Sequence, residues 1–194
     1  MPSLLIPSDA FSHGQIKSKL WLCENFSLWL KKYLSKHNIY TLNWYGSWVG
    51  IGPMLLLSQN TSLFSKINLF DLNDIDLAIS GSVLDYWKCE SIEIKLHNVD
   101  INSYEPTTEP NQIFINTSCE HILDDNWLKL IPTGSNILLQ STDMPHLEHI
   151  NNPQDLNHFT QMYSDNINVL EVKSLAFDYP DKKFNRYMLF GTKK

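Results

Sequence analysis

The sequence predicts an α/β fold: a three-layer sandwich with a mostly parallel seven-stranded sheet and a C-terminal antiparallel hairpin. Three observations carry this. Short apolar runs alternate with stretches of helical apolar period along the 194 residues, and such alternation builds a parallel sheet covered on both faces. Apolar residues make up 43% and charged residues 19%, the balance of a domain with a core rather than of a disordered chain. The last two apolar runs flank Tyr179-Pro180-Asp181-Lys182, a turn that makes them a hairpin.

The elements follow in order. Residues 13–36 carry Leu20, Leu22, Phe26, Leu28, Trp29 and Leu34 on one broad face and lysines on the rest, so they read as an amphipathic helix. With the residues before it, this helix forms an N-terminal extension over 1–37, ahead of a single globular domain over 38–194. A strand is expected at 39–44 and a helix from Pro53 to about residue 65, since proline is tolerated in a first helical turn. Residues 66–71 read as a buried strand that ends in an acid. Asn73 or Asp74 then caps a helix running through Ile75, Leu77, Ile79, Val83 and Trp87. Residues 91–96 alternate as Ser-Ile-Glu-Ile-Lys-Leu, a strand with one wetter face. Two prolines mark 102–111 as a loop. A strand at 113–116, a helical turn or two at 124–130, a strand at 137–140, a helix at 153–162 and hairpin strands at 169–177 and 184–191 complete the chain.

The net charge is −6, and the 15 basic residues are spread without a patch. That argues against a nucleic-acid partner. No stretch is long and apolar enough for a bilayer, and the N-terminus lacks the pattern of a secretory signal. Cys23, Cys89 and Cys119 are odd in number and far apart, so they make neither a disulfide framework nor a paired metal motif. A cytoplasmic protein with a small-molecule partner is expected. The oligomeric state is left open, an oligomer included.

Three glycines sit among aromatic residues in Asn-Trp-Tyr-Gly-Ser-Trp-Val-Gly-Ile-Gly, residues 43–52. The stretch is either a turn in a packed core or a loop that lets a ligand approach the backbone. In an open parallel sheet, ligands bind beyond the carboxyl ends of the strands, and this loop follows the first strand. Asp71 ends the second strand, Asp100 follows the third, and Ile-Asn-Thr-Ser-Cys-Glu-His-Ile, residues 115–122, ends the fourth.

This arrangement resembles the class I S-adenosylmethionine-dependent methyltransferases, which have a Rossmann-like fold. The resemblance covers roughly residues 38–192. That family carries an acid and then G-x-G-x-G after its first strand. Here Trp44 stands at the acid, Gly46 and Gly50 at the outer glycines, and Trp48 at the middle one. A second register uses Gly50 and Gly52, with Pro53 opening the helix. The resemblance implies S-adenosylmethionine as cofactor, contacted by Tyr45, Gly46, Ser47, Trp48 and Gly50. Asp71 with its neighbour Leu72 would hold the ribose, Asp74 and Asp76 being rivals that suit a helix start. Asp100 would receive the adenine amino group, and Asn116 and Ser118 would line the site. Trp44, Tyr45 and Trp48 are either core aromatics or the walls of a sulfonium pocket.

The resemblance also places acceptor-side chemistry on Glu120, His121 and His146, with no resident metal. Four of the seven histidines fall at 121, 146, 149 and 158. One histidine could serve as general base, its pKa being near neutral. Alternatively His146, His149 and Asp143, with Glu120 or His121, would suit zinc, iron or manganese. The expected activity is methyl transfer to a small molecule. Three alternatives remain. One is a metal-dependent hydrolase. Gly50-Ile51-Gly52-Pro53 resembles the loop of nicotianamine synthase-like aminobutyryl transferases. The two tryptophans in the glycine loop fit a chain that keeps the fold as a binding or assembly partner.

Overall fold

The computed structural model describes residues 5–35, 38–88 and 92–194. Cys89, Ser91 and the expected helix end near His37 lie outside the described residues. The chain divides into two compact units, Met1–Asp100 with Glu109–Gln112, and Ile101–Thr108 with Ile113–Lys194.

The first unit contains α1 (His13–Tyr33), β1 (Tyr40–Tyr45), α2 (Ile51–Asn60), β2 (Phe64–Asp71), α3 (Asp74–Val83), α4 (Asp85–Lys88) and β3 (Glu93–Asn98). It holds three of the sheet's seven strands, in the order β3-β2-β1, all parallel. Every residue of β1 is buried, as befits a strand covered on both faces. The mostly exposed β3 is an edge strand that carries Glu93 and Lys95, charges that discourage further pairing.

Asn68 Nδ2 donates to Asn43 Oδ1 at 2.8 Å, and Asn68 Oδ1 lies 3.2 Å from His97 Nε2. This polar row crosses all three strands. A one-residue slip would strand buried amides, so the row fixes register as the apolar pattern does.

α1 is capped by Ser12, which accepts from Gln15 N. It buries Leu22, Cys23, Phe26, Trp29 and Leu30. Leu20 and Leu28, expected on the apolar face, are exposed instead: the inward stripe is narrower than the run of leucines suggests. Burial, then Glu24, pushes the Cys23 thiol up to about 12, so it stays an unreactive packing group. Asn73 rather than Asp74 caps α3, accepting from Ile75 N and Asp76 N. The expected helix through Trp87 breaks after Val83, and Trp87 falls in the separate short α4.

The second unit contains β4 (Gln112–Asn116), α5 (Asn126–Leu130), β5 (Asn136–Thr142), α6 (Leu156–Ser164), β6 (Ile167–Asp178) and β7 (Lys183–Lys193). Its strands run in the order β4-β5-β7-β6. β4 and β5 are parallel, whereas β7 pairs antiparallel with both β5 and β6. The fold class expected from the sequence is therefore found, including the terminal hairpin, with both hairpin strands longer than expected. Tyr179 N donates to Lys182 O at 2.9 Å in the connecting turn. α6 begins at Leu156 rather than at Pro153, because Asp155 caps it through His158 N. Among the described residues no helix is long and apolar enough to cross a membrane.

Two predictions follow from this packing. A Cβ at Gly191 would lie 2.4 Å from Ile167 Cγ2 and 2.5 Å from the Asn168 carbonyl oxygen, so β6 and β7 meet only because position 191 has no side chain. Gly191→Ala is expected to cost about 2–4 kcal/mol, read calorimetrically as a Tm lower by roughly 5–15 °C. His97 stacks on Phe70 at 4.5 Å, and burial, then Lys95 and Lys66, lowers its pKa. The unfolded chain then takes up the proton first as pH falls. Stability is complete above about pH 6.5 and declines as pH drops below it through the folded value. The urea midpoint is expected to fall from pH 7 to pH 5, and to fall less in His97→Gln.

Candidate functional site

In the first unit the site grows from the ends of β1 and β2. β1 stops at Tyr45, and the chain turns through Gly46 (φ 63°), Trp48 (φ 46°) and Gly50 (φ 79°) before α2 begins. Asp71, the last residue of β2, accepts Trp48 N–H at 2.8 Å through Oδ2 and Asn73 N–H at 3.1 Å through Oδ1. Ser47 N–H donates to the Phe70 carbonyl at 3.1 Å. The two strand ends are thus tied together by the turn.

The left-handed backbone at Trp48 costs on the order of 1 kcal/mol for a bulky residue. Packing offsets it: Trp48 lies against the cluster of Ala10, Val49, Ile51 and Ile79, and Lys19 Nζ sits 5.4 Å above its ring. Gly50 has a different constraint. A Cβ there would stand 2.9 Å from Ser80 Cα, so the glycine lets α3 approach the turn. Trp44, in place of the family's acid, is buried with its ring against Gly52. Tyr45 is buried edge-to-face on Phe70 at 4.9 Å. Both are core aromatics, the first of the two readings their sequence allowed.

The turn fits an adenosyl ligand on two counts. A carboxylate offers about four lone-pair sites, and Asp71 uses two on the backbone. Ser47 Oγ is buried without a partner among the described residues. Burial, then Asp71 and Asp9, raises the pKa of Asp76 in the first turn of α3. Leu72 is exposed beside Asp71, with its carbonyl accepting from Asn98 Nδ2. Asp100 is exposed in the turn after β3.

In the second unit, Asn116 ends β4, and its Oδ1 accepts Ser118 N–H at 2.9 Å. Residues Cys119–His121 form one 3-10 turn, and α5 begins five residues later, within the span where a helical turn is expected. Glu120 is 2% exposed. Its carbonyl accepts Ile150 N–H at 2.9 Å and Asn151 N–H at 3.1 Å, which clamps the segment after β5 against the 3-10 turn. The clamp brings His121 and His149 together, with ring centroids 4.8 Å apart, and His146 lies 5.1 Å from His149.

Glu120 Oε1 accepts from Arg186 Nη1 at 3.3 Å, and its Oε2 has no partner among the described residues. Asn116 Nδ2 and Ser141 Oγ are also buried without one. Asp143 is not available as a ligand: it accepts from Asn185 N, Asn185 Nδ2 and Tyr187 Oη at 2.6–2.8 Å. Burial, then Glu120, raises the Cys119 pKa, so this thiol is no nucleophile. His158 serves α6, its Nδ1 accepting Gln154 N–H at 3.1 Å.

Arg186 was not among the residues singled out from the sequence. It is the chain's one arginine, set within the apolar run of β7, and that contrast was the available signal. Removing one partner of a buried ion pair leaves an uncompensated charge. Arg186→Met is expected to lower unfolding free energy by about 3–5 kcal/mol. Glu120→Gln on that background should recover part of the loss, both read by chemical denaturation.

No protein-family model matches the sequence, and no curated protein matches it. Solved structures do. The magnesium protoporphyrin IX methyltransferase of Synechocystis, with bound SAM, aligns at a TM-score of 0.66 and 8% identity, over 98% of this chain and 87% of that one. The geranyl diphosphate C-methyltransferase of Streptomyces coelicolor, in complex with Mg2+, geranyl diphosphate and S-adenosyl-L-homocysteine, aligns at 0.64 and 9% identity, over 96% and 86%. The N-methyltransferase NodS of Bradyrhizobium japonicum, in complex with S-adenosyl-L-homocysteine, aligns at 0.63 and 11% identity, over 94% and 90%. The strand order, the terminal hairpin and these alignments together give the chain the fold of the class I S-adenosylmethionine-dependent methyltransferases.

Proposed function

We propose that the chain is an S-adenosylmethionine-dependent methyltransferase acting on a small-molecule acceptor. The observation that carries this is Asp71: a carboxylate at the end of β2, with acceptor capacity left over, beside a turn of three left-handed residues. Asp71 is the group for the ribose diol, since a carboxylate accepts two hydroxyl hydrogens at once. Gly46, Ser47, Trp48 and Gly50 supply the surrounding backbone and the buried Ser47 hydroxyl. Tyr45 backs the turn from the core. Leu72 and Asp100 complete the proposed cofactor contacts of the first unit.

When bound, the cofactor supplies an electrophilic methyl carbon on a sulfonium. The protein's own task is then to hold the acceptor in line and exclude water. Glu120, His121 and His146 are the acceptor-side groups. His121 Nδ1 lies 3.1 Å from the Glu148 carbonyl oxygen, to which it donates, so its Nε2 keeps a lone pair for the acceptor's proton. His146 has the opposite tautomer, because its Nδ1 accepts Glu148 N–H; its Nε2–H is a donor that orients an acceptor. One of the similar proteins named above, the geranyl diphosphate C-methyltransferase, is in complex with geranyl diphosphate, which supports an acceptor of the small-molecule class.

Calorimetric titration with S-adenosylmethionine and S-adenosylhomocysteine tests the proposal. Both are expected to bind the unmodified chain. Asp71→Ala should weaken binding by roughly 10–100-fold, the worth of a hydrogen bond to a charged group, with the fold retained by circular dichroism. Absence of binding up to about 1 mM ends the proposal. Release of S-adenosylhomocysteine marks methyl transfer, methylthioadenosine marks aminobutyryl transfer, and binding without either marks a non-catalytic chain.

A further inference from the structure

We infer that Glu120, His121 and His149 form a binding site for one first-row divalent metal ion, of the zinc type. Their ligand atoms lie within 4.8 Å of one another. Ligands bound to a tetrahedral ion at about 2.0–2.1 Å stand roughly 3.4 Å apart, so the three side chains close inward by about an ångström on loading. The exposed His121 and half-buried His149 are free to make that movement.

Three features beyond proximity point to a metal. The first is the pair of tautomers. His149 Nδ1 lies 2.7 Å from the Met144 carbonyl oxygen, and His121 Nδ1 lies 3.1 Å from that of Glu148. A carbonyl only accepts, so both Nδ1 atoms carry the proton and both Nε2 atoms present lone pairs. Metal-bound histidines are oriented in this way, by a backbone carbonyl on the other nitrogen. His146 fails the same test, since its Nδ1 accepts a backbone N–H and its Nε2 is protonated. The second is Glu120. It is almost fully buried, Arg186 holds its Oε1, and its Oε2 has no partner among the described residues. A buried acceptor left open calls for a proton, a water or an ion. The third is the clamp. Ile150 and Asn151 donate to the Glu120 carbonyl, so the segment that carries His149 is pinned by the residue that supplies the oxygen ligand.

Two imidazoles and one carboxylate select zinc and its first-row neighbours over magnesium or calcium, which take oxygen ligands. Three protein ligands leave a fourth position open. Water takes it in the resting chain. On the transferase reading, an oxygen or nitrogen of the acceptor would replace that water, and the ion would make it acidic enough to release its proton to solvent at the exposed edge of the site; His121 would then hold the ion, and water rather than His121 would take the proton.

The test uses the full chain stripped with a chelator, with Zn2+ titrated calorimetrically and Co2+ followed by its visible absorption, all without adenosyl cofactor. Failure here is thus separable from failure of the methyltransferase reading. One ion per chain is expected, with the strong absorption of four-coordinate Co2+. His149→Ala, His121→Ala and Glu120→Gln should each weaken Zn2+ by about 100-fold or more, whereas His158→Gln should leave it unchanged. Histidine 15N NMR of the unsubstituted chain gives a readout independent of variant folding: Zn2+ should shift Nε2 of His121 and His149, with Nδ1 remaining protonated. No binding up to about 1 mM Zn2+, or binding that survives loss of either histidine, overturns the site.

Discussion

One hydrogen bond, from the Trp48 N–H to the Asp71 carboxylate, holds the upper end of the first unit in place. Parallel strands finish with backbone groups that have no neighbour to pair with. A turn leaving such a strand must satisfy them locally or leave them to solvent. Here the end of β2 does it twice: Phe70 accepts Ser47 N–H, and Asp71 accepts Trp48 N–H. The turn can then carry a tryptophan in a left-handed conformation that glycine would adopt at less cost. The indole is recovered for packing against Ala10, Ile51 and Ile79, so the N-terminal segment and the turn stabilise each other.

The second unit is organised around a buried charge. Glu120 and Arg186 are 66 residues apart and both largely dehydrated. Such a pair adds little net stability, because desolvation consumes most of the attraction. It does fix the carboxylate: one oxygen is held by the guanidinium, and the other has no partner among the described residues. The backbone clamp from Ile150 and Asn151 acts in the same direction. A polar site at the ends of β4 and β5 is therefore rigid on one side, through strand-borne groups, and adjustable on the other, through imidazoles on a loop.

Much of this was legible from particular residues. Apolar runs placed β1, β2, β4 and β5, because a buried parallel strand has to be apolar on both faces; polar alternation placed the exposed β3, and the turn at 179–182 placed the antiparallel hairpin strands. The pair Asn73-Asp74 announced a helix start through its side-chain acceptors, whereas the helix that Asp155 caps was expected to start too early. The choice between Asn73 and Asp74 as cap, and the division of the expected helix after Val83, were not written in composition. Leu20 and Leu28 looked like core and are exposed, since apolar character does not specify which side of a helix meets a neighbour.

The sequence by itself determined the strand and helix order, the hairpin, and the carboxylate after the second strand, because these depend on period, capping and local turn chemistry. Tertiary structure alone decided that Trp44 is core, that Asp143 is consumed by Asn185 and Tyr187, and that Arg186 meets Glu120. It also set the tautomers of His121, His146 and His149. Each of these depends on which distant backbone or side-chain group the fold brings within hydrogen-bonding distance, and no local pattern in the chain encodes that.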